Sequence, residues 1–315
     1  MYFLYIIYII LNKILYKINL LDNIYYTIMI SEDNIFEYEY SNRIVIIGDI
    51  HGDIRRFKDI LIDAKIINKN IEWIAEPKNT IVVQMGDQVD SINRDPSLDD
   101  WEVLPDVEMI YFTNLLNKIA LSKGGRVISL IGNHELMNII GNFSYVSSKS
   151  LNTNYKRQEL FKPGGTLSAI LSQRPLVVKI GKLLFCHAGI TLEHLSILSK
   201  YNKDISYLNT IWKNFLKNNT ILIEDKEIFE NIILDMDGIL WTRDLNNSED
   251  IIKLQEQLGC VYMFVGHTVV ERIKLINNFI WYTDTGISRS FGNTSYQYID
   301  IFNNNLNIKE VVATY

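Results

Sequence analysis

The sequence predicts an α/β domain in which two β-sheets pack face to face with helices on their outer sides. Three observations carry this. The first 135 residues alternate short β-branched runs with amphipathic helical stretches, the pattern of parallel strands joined by helical crossovers. From residue 175 onward, short strand-like runs follow one another across tight turns, which reads as antiparallel pairing. Clusters of Gly, Asp, Asn and His recur where the apolar runs stop, the place where ligands gather in open α/β sheets. No linker separates the two halves and the clusters draw on both, so they form one domain.

Taken in order, RIVIIG at 43–48 is a buried strand by composition. Residues 53–67 place Ile54, Phe57, Ile60, Leu61, Ala64 and Ile67 at helical spacing. TIVVQMG at 80–86 is a second strand, 107–122 a second amphipathic helix, and GRVISLIG at 125–132 a third strand. The polar, basic stretch 142–165, with Lys149, Lys156, Arg157 and Lys162, reads either as a solvated loop or as a lid beside the site. PLVVKI at 175–180 and KLLFCH at 182–187 flank Gly181 as a hairpin, and 191–219 and 222–258 read as mostly helical. VYMFVG (261–266), ERIKLI (271–276), FIWYTD (279–284) and YQYIDIF (296–302) read as strands of an antiparallel series.

Composition narrows the function. A chain of 315 residues with 48% hydrophobic and 22% charged residues is an ordinary globular protein. A net charge of −6 argues against a protein that tracks nucleic-acid backbone, and no nucleic-acid partner is expected. It leaves phosphorylated substrates open, because bound cations supply local positive charge. Two cysteines, Cys186 and Cys260, both in strand-like runs, fit an intracellular, cytoplasmic setting better than a disulfide framework. The run MYFLYIIYIIL at 1–11 is shorter than the ~20 apolar residues a bilayer span needs, and lacks the flanks of a signal peptide. Residues 1–30 are therefore expected to be a dispensable hydrophobic extension, with a membrane-surface or anchor segment, a helix packed on the domain, or initiation at Met29 as the alternatives. The acidic stretch 31–42 reads as a linker or edge segment, and the catalytic domain as 43–315.

The chemistry sits in five clusters: GDIHGD at 48–53, GDQVD at 86–90, GNHE at 132–135, CHAG at 186–189 and GHT at 266–268. Of 5 histidines, His51, His134, His187 and His267 lie inside these clusters, and His194 lies outside on a helix, in a structural or exposed role. Asp49 and His51, one residue apart after a strand, can turn toward one point. Asp87 offers two oxygens and so can bridge two cations; Asn133 offers an amide oxygen; His187 and His267 each follow a rigid strand. Oxygen and imidazole without thiolate suit two divalent ions, manganese first and iron or zinc as alternatives. Such a pair holds a bridging hydroxide and stabilises attacking and leaving oxygens of a phosphate ester. His134, beside Asn133, is left free to protonate the leaving oxygen, with Asp90 as the partner that fixes its tautomer. Arg94 and Arg243 are the candidate phosphate-binding guanidiniums. Asp284 and Arg289 either line the cavity or cap turns, and Trp241 reads as packing.

These clusters in this order, with KGGRVISLIGNHELMN, RPLVVKIGKLLFCHAGI, ILWTRDL, VGHTVV and YTDTGISRSFG around them, resemble the phosphoprotein phosphatase branch of the calcineurin-like metallophosphoesterases. The likeness is greatest to the bacterial-type, Shewanella-like phosphatases and covers about 43–303. It implies a four-layer α-β-β-α sandwich of two mixed sheets flanked by helices. It implies a first metal held by Asp49, His51 and Asp87, and a second by Asp87, Asn133, His187 and His267, with His134 and Asp90 as the acid dyad. It also implies one-step phosphomonoester hydrolysis of phosphoserine, phosphothreonine or phosphotyrosine in a phosphoprotein or phosphopeptide. Two positions depart from that pattern. Ser91 stands where eukaryotic relatives carry Arg, so Arg94 would supply its guanidinium from another backbone position, and Ala188 replaces a Gly. Two other functions fit the sequence: hydrolysis of dinucleoside polyphosphates or other small phosphoesters, and a metal-free scaffold module.

Overall fold

The computed structural model describes residues 36–94, 106–151, 156–243, 245 and 248–313. The expectations for residues 1–30, and for 31–35 of the acidic stretch, fall outside them. In chain order the elements are β1 (Glu37–Tyr38), β2 (Arg43–Ile47), α1 (Ile54–Asp63), β3 (Ile81–Gln84), α2 (Val107–Ser122), β4 (Arg126–Ser129) and α3 (Asn133–Ile139). Three short helices follow, α4 (Ser148–Leu151), α5 (Arg157–Phe161) and α6 (Thr166–Leu171), and then the hairpin β5 (Val177–Ile180) and β6 (Leu183–Cys186). Next come α7 (Leu192–Lys200), α8 (Tyr207–Asn218), an irregular helical run over 223–234 and α9 (Ser248–Leu258). The chain closes with β7 (Tyr262–Val265), β8 (Lys274–Ile276), β9 (Ile280–Tyr282), β10 (Ser295–Phe302) and β11 (Asn305–Val312).

Two mixed sheets result, ordered β1-β5-β6-β7-β9-β8 and β11-β10-β2-β3-β4. Period-2 alternation assigns each strand face to a layer. Ile44 and Ile46 of β2 join Val83, Phe185, Phe264 and Ile299 in the layer between the sheets. Val45 and Ile47 of the same strand point the other way, onto Phe57, Ile60, Met109 and Leu116 of α1 and α2. On the second sheet, Val177, Leu184, Met263 and Ile280 meet Leu171, Leu208, Trp212 and Leu254 of the outer helices. The three buried clusters fall between the sheets and on their outer sides, which is the α-β-β-α order expected from sequence.

Two expectations need correction. The strands after residue 260 are not an antiparallel series: β6 pairs parallel with β7, and β7 parallel with β9. Only β8 returns antiparallel on β9, while β10 leaves for the other sheet and pairs antiparallel with β2. Short connections mislead here because β8 is a detour that lets the chain re-enter beside β7 in the same direction. The stretch 222–258 is interrupted by a non-helical segment carrying Trp241 and Arg243. Within the acidic stretch, Glu37 and Tyr38 pair parallel with β5, which is the edge-segment reading of that stretch.

Candidate active site

The parallel pairing decides where the clusters meet. The carboxyl ends of β2, β3 and β4 lead to Asp49, Asp87 and Asn133; those of β6, β7 and β9 lead to His187, His267 and Asp284. Each turn is bent sharply. His51, Asp87, Asp90 and His267 all have positive φ, at 43°, 50°, 68° and 59°. A non-glycine residue there costs about 1–2 kcal/mol, and such strain concentrates where a side chain must be aimed.

Asp87 lies at the centre. Its Oδ2 is 3.3 Å from His187 Nε2, 3.8 Å from His134 Nε2 and 4.0 Å from His51 Nε2. Its Oδ1 accepts the His134 backbone N–H at 2.9 Å. Two groups offer ligand atoms within 4.8 Å of one another: His51, Asp87 and His134, and Asp87, His187 and His267. Asp87 is common to both, and the first group contains His134 rather than Asp49. Asn133 Oδ1 stands 2.9 Å from His187 Nε2 and 2.9 Å from His267 Nδ1. Asp49 Oδ2 accepts the His267 N–H at 2.9 Å, while Asp49 Oδ1 is buried with no hydrogen-bond partner.

The remaining contacts select which imidazole nitrogen faces the centre. His187 Nδ1 meets the Met85 carbonyl at 2.8 Å, which leaves Nε2 as the inward atom. His267 does the reverse: Nε2 meets the Trp241 carbonyl at 2.9 Å and Nδ1 turns to Asn133. His51 Nδ1 lies 3.2 Å from the Val89 carbonyl. His134 Nδ1 meets Asp90 Oδ2 at 2.7 Å, so Nε2 is the atom it presents to Asp87.

Charge follows from burial. Asp49 is pushed well above the carboxylate range by burial and by the Asp284 and Asp87 carboxylates. Burial also lifts Asp284, to about 6. Burial opposes ionisation of Asp87 too, but His187, His134 and His51 outweigh it and hold Asp87 well below its ordinary value. Burial and the His187 ring lower His267 to about 3, so it is a neutral donor. Burial, Arg94 and His134 hold His51 low as well. His134 and His187 differ: Asp87 and Asp90 overcome the burial of His134, and Asp87 and the Met85 carbonyl that of His187, raising both.

This donor set fits two divalent cations. The buried carboxylates of Asp49, Asp87 and Asp284, beside neutral His51 and His267, need positive charge among them, and Asp49 Oδ1 is an acceptor without a donor. Glycine keeps the space clear. A Cβ at Gly132 would lie 2.9 Å from Asp87 Cγ, and one at Gly86 would lie 2.8 Å from His187 Nδ1.

The arginines flank the centre at opposite ends. Arg94 Nη2 is 3.2 Å from His51 Nδ1, and its guanidinium lies over Phe291 at 4.8 Å and Tyr145 at 5.9 Å. Arg243 Nη1 donates to the His267 carbonyl at 3.2 Å and to Thr268 Oγ1 at 3.1 Å. Arg289 instead grips Asp53 at 2.8 Å, a turn clamp, and His194 is buried on Asp237 and Thr191 in a structural role.

Sequence reasoning passed over several residues. Glu135, the last letter of GNHE, is fully buried and accepts the backbone N–H groups of Gly132, Asp87, Gln88 and Val89. It ties the second cluster to the third. Asp106 and Asn138 reach Asp90 with no motif to announce them. Arg157, placed on a solvated loop or lid by its basic neighbours, is buried against Asp90 and Asp106.

A two-sheet sandwich with Asp, Asn and His converging at its strand ends defines a phosphoesterase of the calcineurin-like class. The family model described as calcineurin-like phosphoesterase matches residues 42–271, and the chain belongs to that family. Shewanella-like protein phosphatase 1 of Plasmodium berghei (strain Anka) is 31% identical over 287 residues, covering 85% of this chain and 72% of that protein. Shewanella-like protein phosphatase 2 of Arabidopsis thaliana is 33% identical over 114 residues, 36% of this chain and 26% of that protein. Among solved structures, the cold-active protein-tyrosine phosphatase of a psychrophilic Shewanella sp. superposes with a TM-score of 0.69 over 91% of this chain and 84% of that one. At 21% identity that likeness is one of fold. The chain is a metal-dependent phosphatase of this family.

Proposed function

We propose that the protein is a phosphoprotein phosphatase that hydrolyses phosphoserine, phosphothreonine or phosphotyrosine esters, with Mn²⁺ as the first choice of metal and Fe or Zn as alternatives. One observation carries it: Asp87 stands between two ligand groups while His134, fixed by Asp90, faces the same carboxylate. In this reading Asp49, His51 and Asp87 hold one cation, and Asp87, Asn133, His187 and His267 the other. When bound, the ions supply Lewis acidity to the phosphoryl oxygens and acidify the attacking water. The chain's own residues do the rest. Arg94 and Arg243 bind phosphoryl oxygens from either end, with Asn133 as a neutral neighbour. His134 gives its Nε2 proton to the leaving oxygen, while Asp90 keeps its Nδ1–H directed away.

The named relatives, two Shewanella-like protein phosphatases, support a phosphoprotein over a dinucleotide. The two unbridged cysteines, both buried, suit a reducing, intracellular setting. Among the described residues no helix is long and apolar enough to cross a membrane.

The test is turnover of a phosphopeptide panel and of dinucleoside polyphosphates, with Mn²⁺ added and with a chelator. Peptide hydrolysis that the chelator abolishes and Mn²⁺ restores is expected. Preference for dinucleotides would overturn the substrate class. Purified protein without bound metal and without turnover would support the scaffold reading.

A further inference from the structure

Arg157 opens α5, and its guanidinium is buried. Nε donates to Asn138 Oδ1 at 2.5 Å, Nη1 to Asp106 Oδ1 at 2.9 Å, and Nη2 to Asp106 Oδ2 at 2.8 Å and Asp90 Oδ1 at 3.2 Å. Asn138 Nδ2 donates to the same Asp90 Oδ1 at 2.8 Å. Asp90 Oδ1 is thereby filled, and Oδ2 is left for His134 Nδ1 at 2.7 Å. Asp106 sits at the N-cap position of α2, where an aspartate ordinarily accepts a helix N–H, yet its side chain makes no such bond. It accepts instead from Arg157 and from the Asp90 N–H at 2.9 Å. Room for it comes from the first cluster: a Cβ at Gly52 would lie 2.9 Å from Asp106 Cβ.

Burying a guanidinium is costly unless it is paired with good geometry, and a hydrophobic residue could fill the same volume at no electrostatic cost. What the network yields is a fixed Asp90. We propose that Arg157, held by Asp106, is a positioning residue for the acid step. It selects the carboxylate rotamer of Asp90 and, through it, the ring orientation of His134. In that step the oxygen of a water-derived hydroxide bonds to phosphorus as the ester P–O bond breaks, and the His134 Nε2 proton moves to the departing oxygen. His134 is left neutral, with Nδ1–H still donated to Asp90. The proposal rests on His134 being the acid, as proposed above.

A positioning role and a role in folding alone differ in how they depend on the leaving group. Departure from phosphoserine needs a proton; p-nitrophenolate leaves without one. Arg157→Ala and Asp106→Asn are each expected to lower kcat on a phosphoserine peptide about 10- to 100-fold, with a much smaller loss on p-nitrophenyl phosphate. KM and bound metal are expected to stay near wild type. Arg157→Lys keeps a cation and is expected to fall between, and added ethylguanidinium to restore part of the Arg157→Ala loss. Equal losses on both esters, or a raised KM with unchanged kcat, would overturn the proposal. Should Arg157→Ala fail to fold, Arg157→Lys and Asp106→Asn make the same comparison. His134→Asn separates the two levels. If it too loses equally on both esters, the acid assignment falls. If it shows the leaving-group dependence and the Arg157 and Asp106 variants do not, only the positioning role falls.

Discussion

Gly132→Ala probes the centre with a single methyl group. Gly132 has φ −107° and ψ 178°, extended backbone that alanine adopts freely, so no backbone strain is introduced. The added Cβ would lie 2.9 Å from Asp87 Cγ, and closer still to Asp87 Oδ1 and its amide nitrogen. Side-chain Cβ atoms keep at least 3.0 Å from their neighbours, so the Asp87 turn or the start of α3 has to move by on the order of 1 Å. Glu135 binds both pieces together through Gly132 N–H and Asp87 N–H, so they cannot part cheaply. A shift of that size breaks the Asp87 Oδ1 bond to His134 N–H and displaces the carboxylate shared by both ligand groups. Misplacement by about 1 Å costs roughly 100-fold in rate, and overpacking costs about 1–3 kcal/mol of stability. The assay is kcat/KM on a phosphopeptide at saturating Mn²⁺, with metal content by emission spectroscopy and a denaturant melt. A variant with wild-type metal content and wild-type kcat/KM would refute the placement of Asp87 at the shared position.

Other outcomes follow from the same geometry. His134→Asn is expected to lower kcat about 100-fold or more while metal content persists; loss of metal instead would make His134 a ligand. Glu135→Ala leaves four buried N–H donors without their acceptor, at about 1–3 kcal/mol for each one that stays unsatisfied. Unfolding stability lowered by at least about 3 kcal/mol, read from the denaturant midpoint and slope, is expected, and an unchanged midpoint would contradict it. His194 is held below its ordinary value by burial, so it is neutral in the fold, accepting Thr191 N–H and donating to the Asp237 carbonyl. Between about pH 6.5 and its lower folded value the unfolded chain binds a proton that the fold does not, so this contribution is lost as pH falls. The stability advantage of wild type over His194→Gln is expected to shrink between neutral pH and about pH 5; an advantage that grows on acidification would refute the sign.

Much of the site was legible because its signals are local. A β-branched run ending in Gly-Asp or Gly-Asn names a strand end and its cargo within a few residues, as at Asp49, Asp87 and Asn133. Scarcity helped too, since four of 5 histidines fall in the clusters. Arg157 was misplaced for the opposite reason. Lys149, Lys156 and Lys162 around it make the stretch look solvated, and its partner Asp90 is 67 residues away. Asp106 belongs to no cluster, and its partners Asp90 and Arg157 lie far away in the chain.

The sequence by itself determined most strand and helix types, the candidate ligand side chains and the order of the clusters, because hydrophobic period and turn chemistry act over a few residues. Tertiary structure alone decided that β6, β7 and β9 run parallel, which brings His187, His267 and Asp284 to one end of their sheet. It also decided which nitrogen of each histidine faces inward, since the carbonyls of Met85 and Trp241 that make the choice arrive from distant segments. Strand direction and side-chain tautomer are set by what packs alongside, and a chain carries that information only once it has folded.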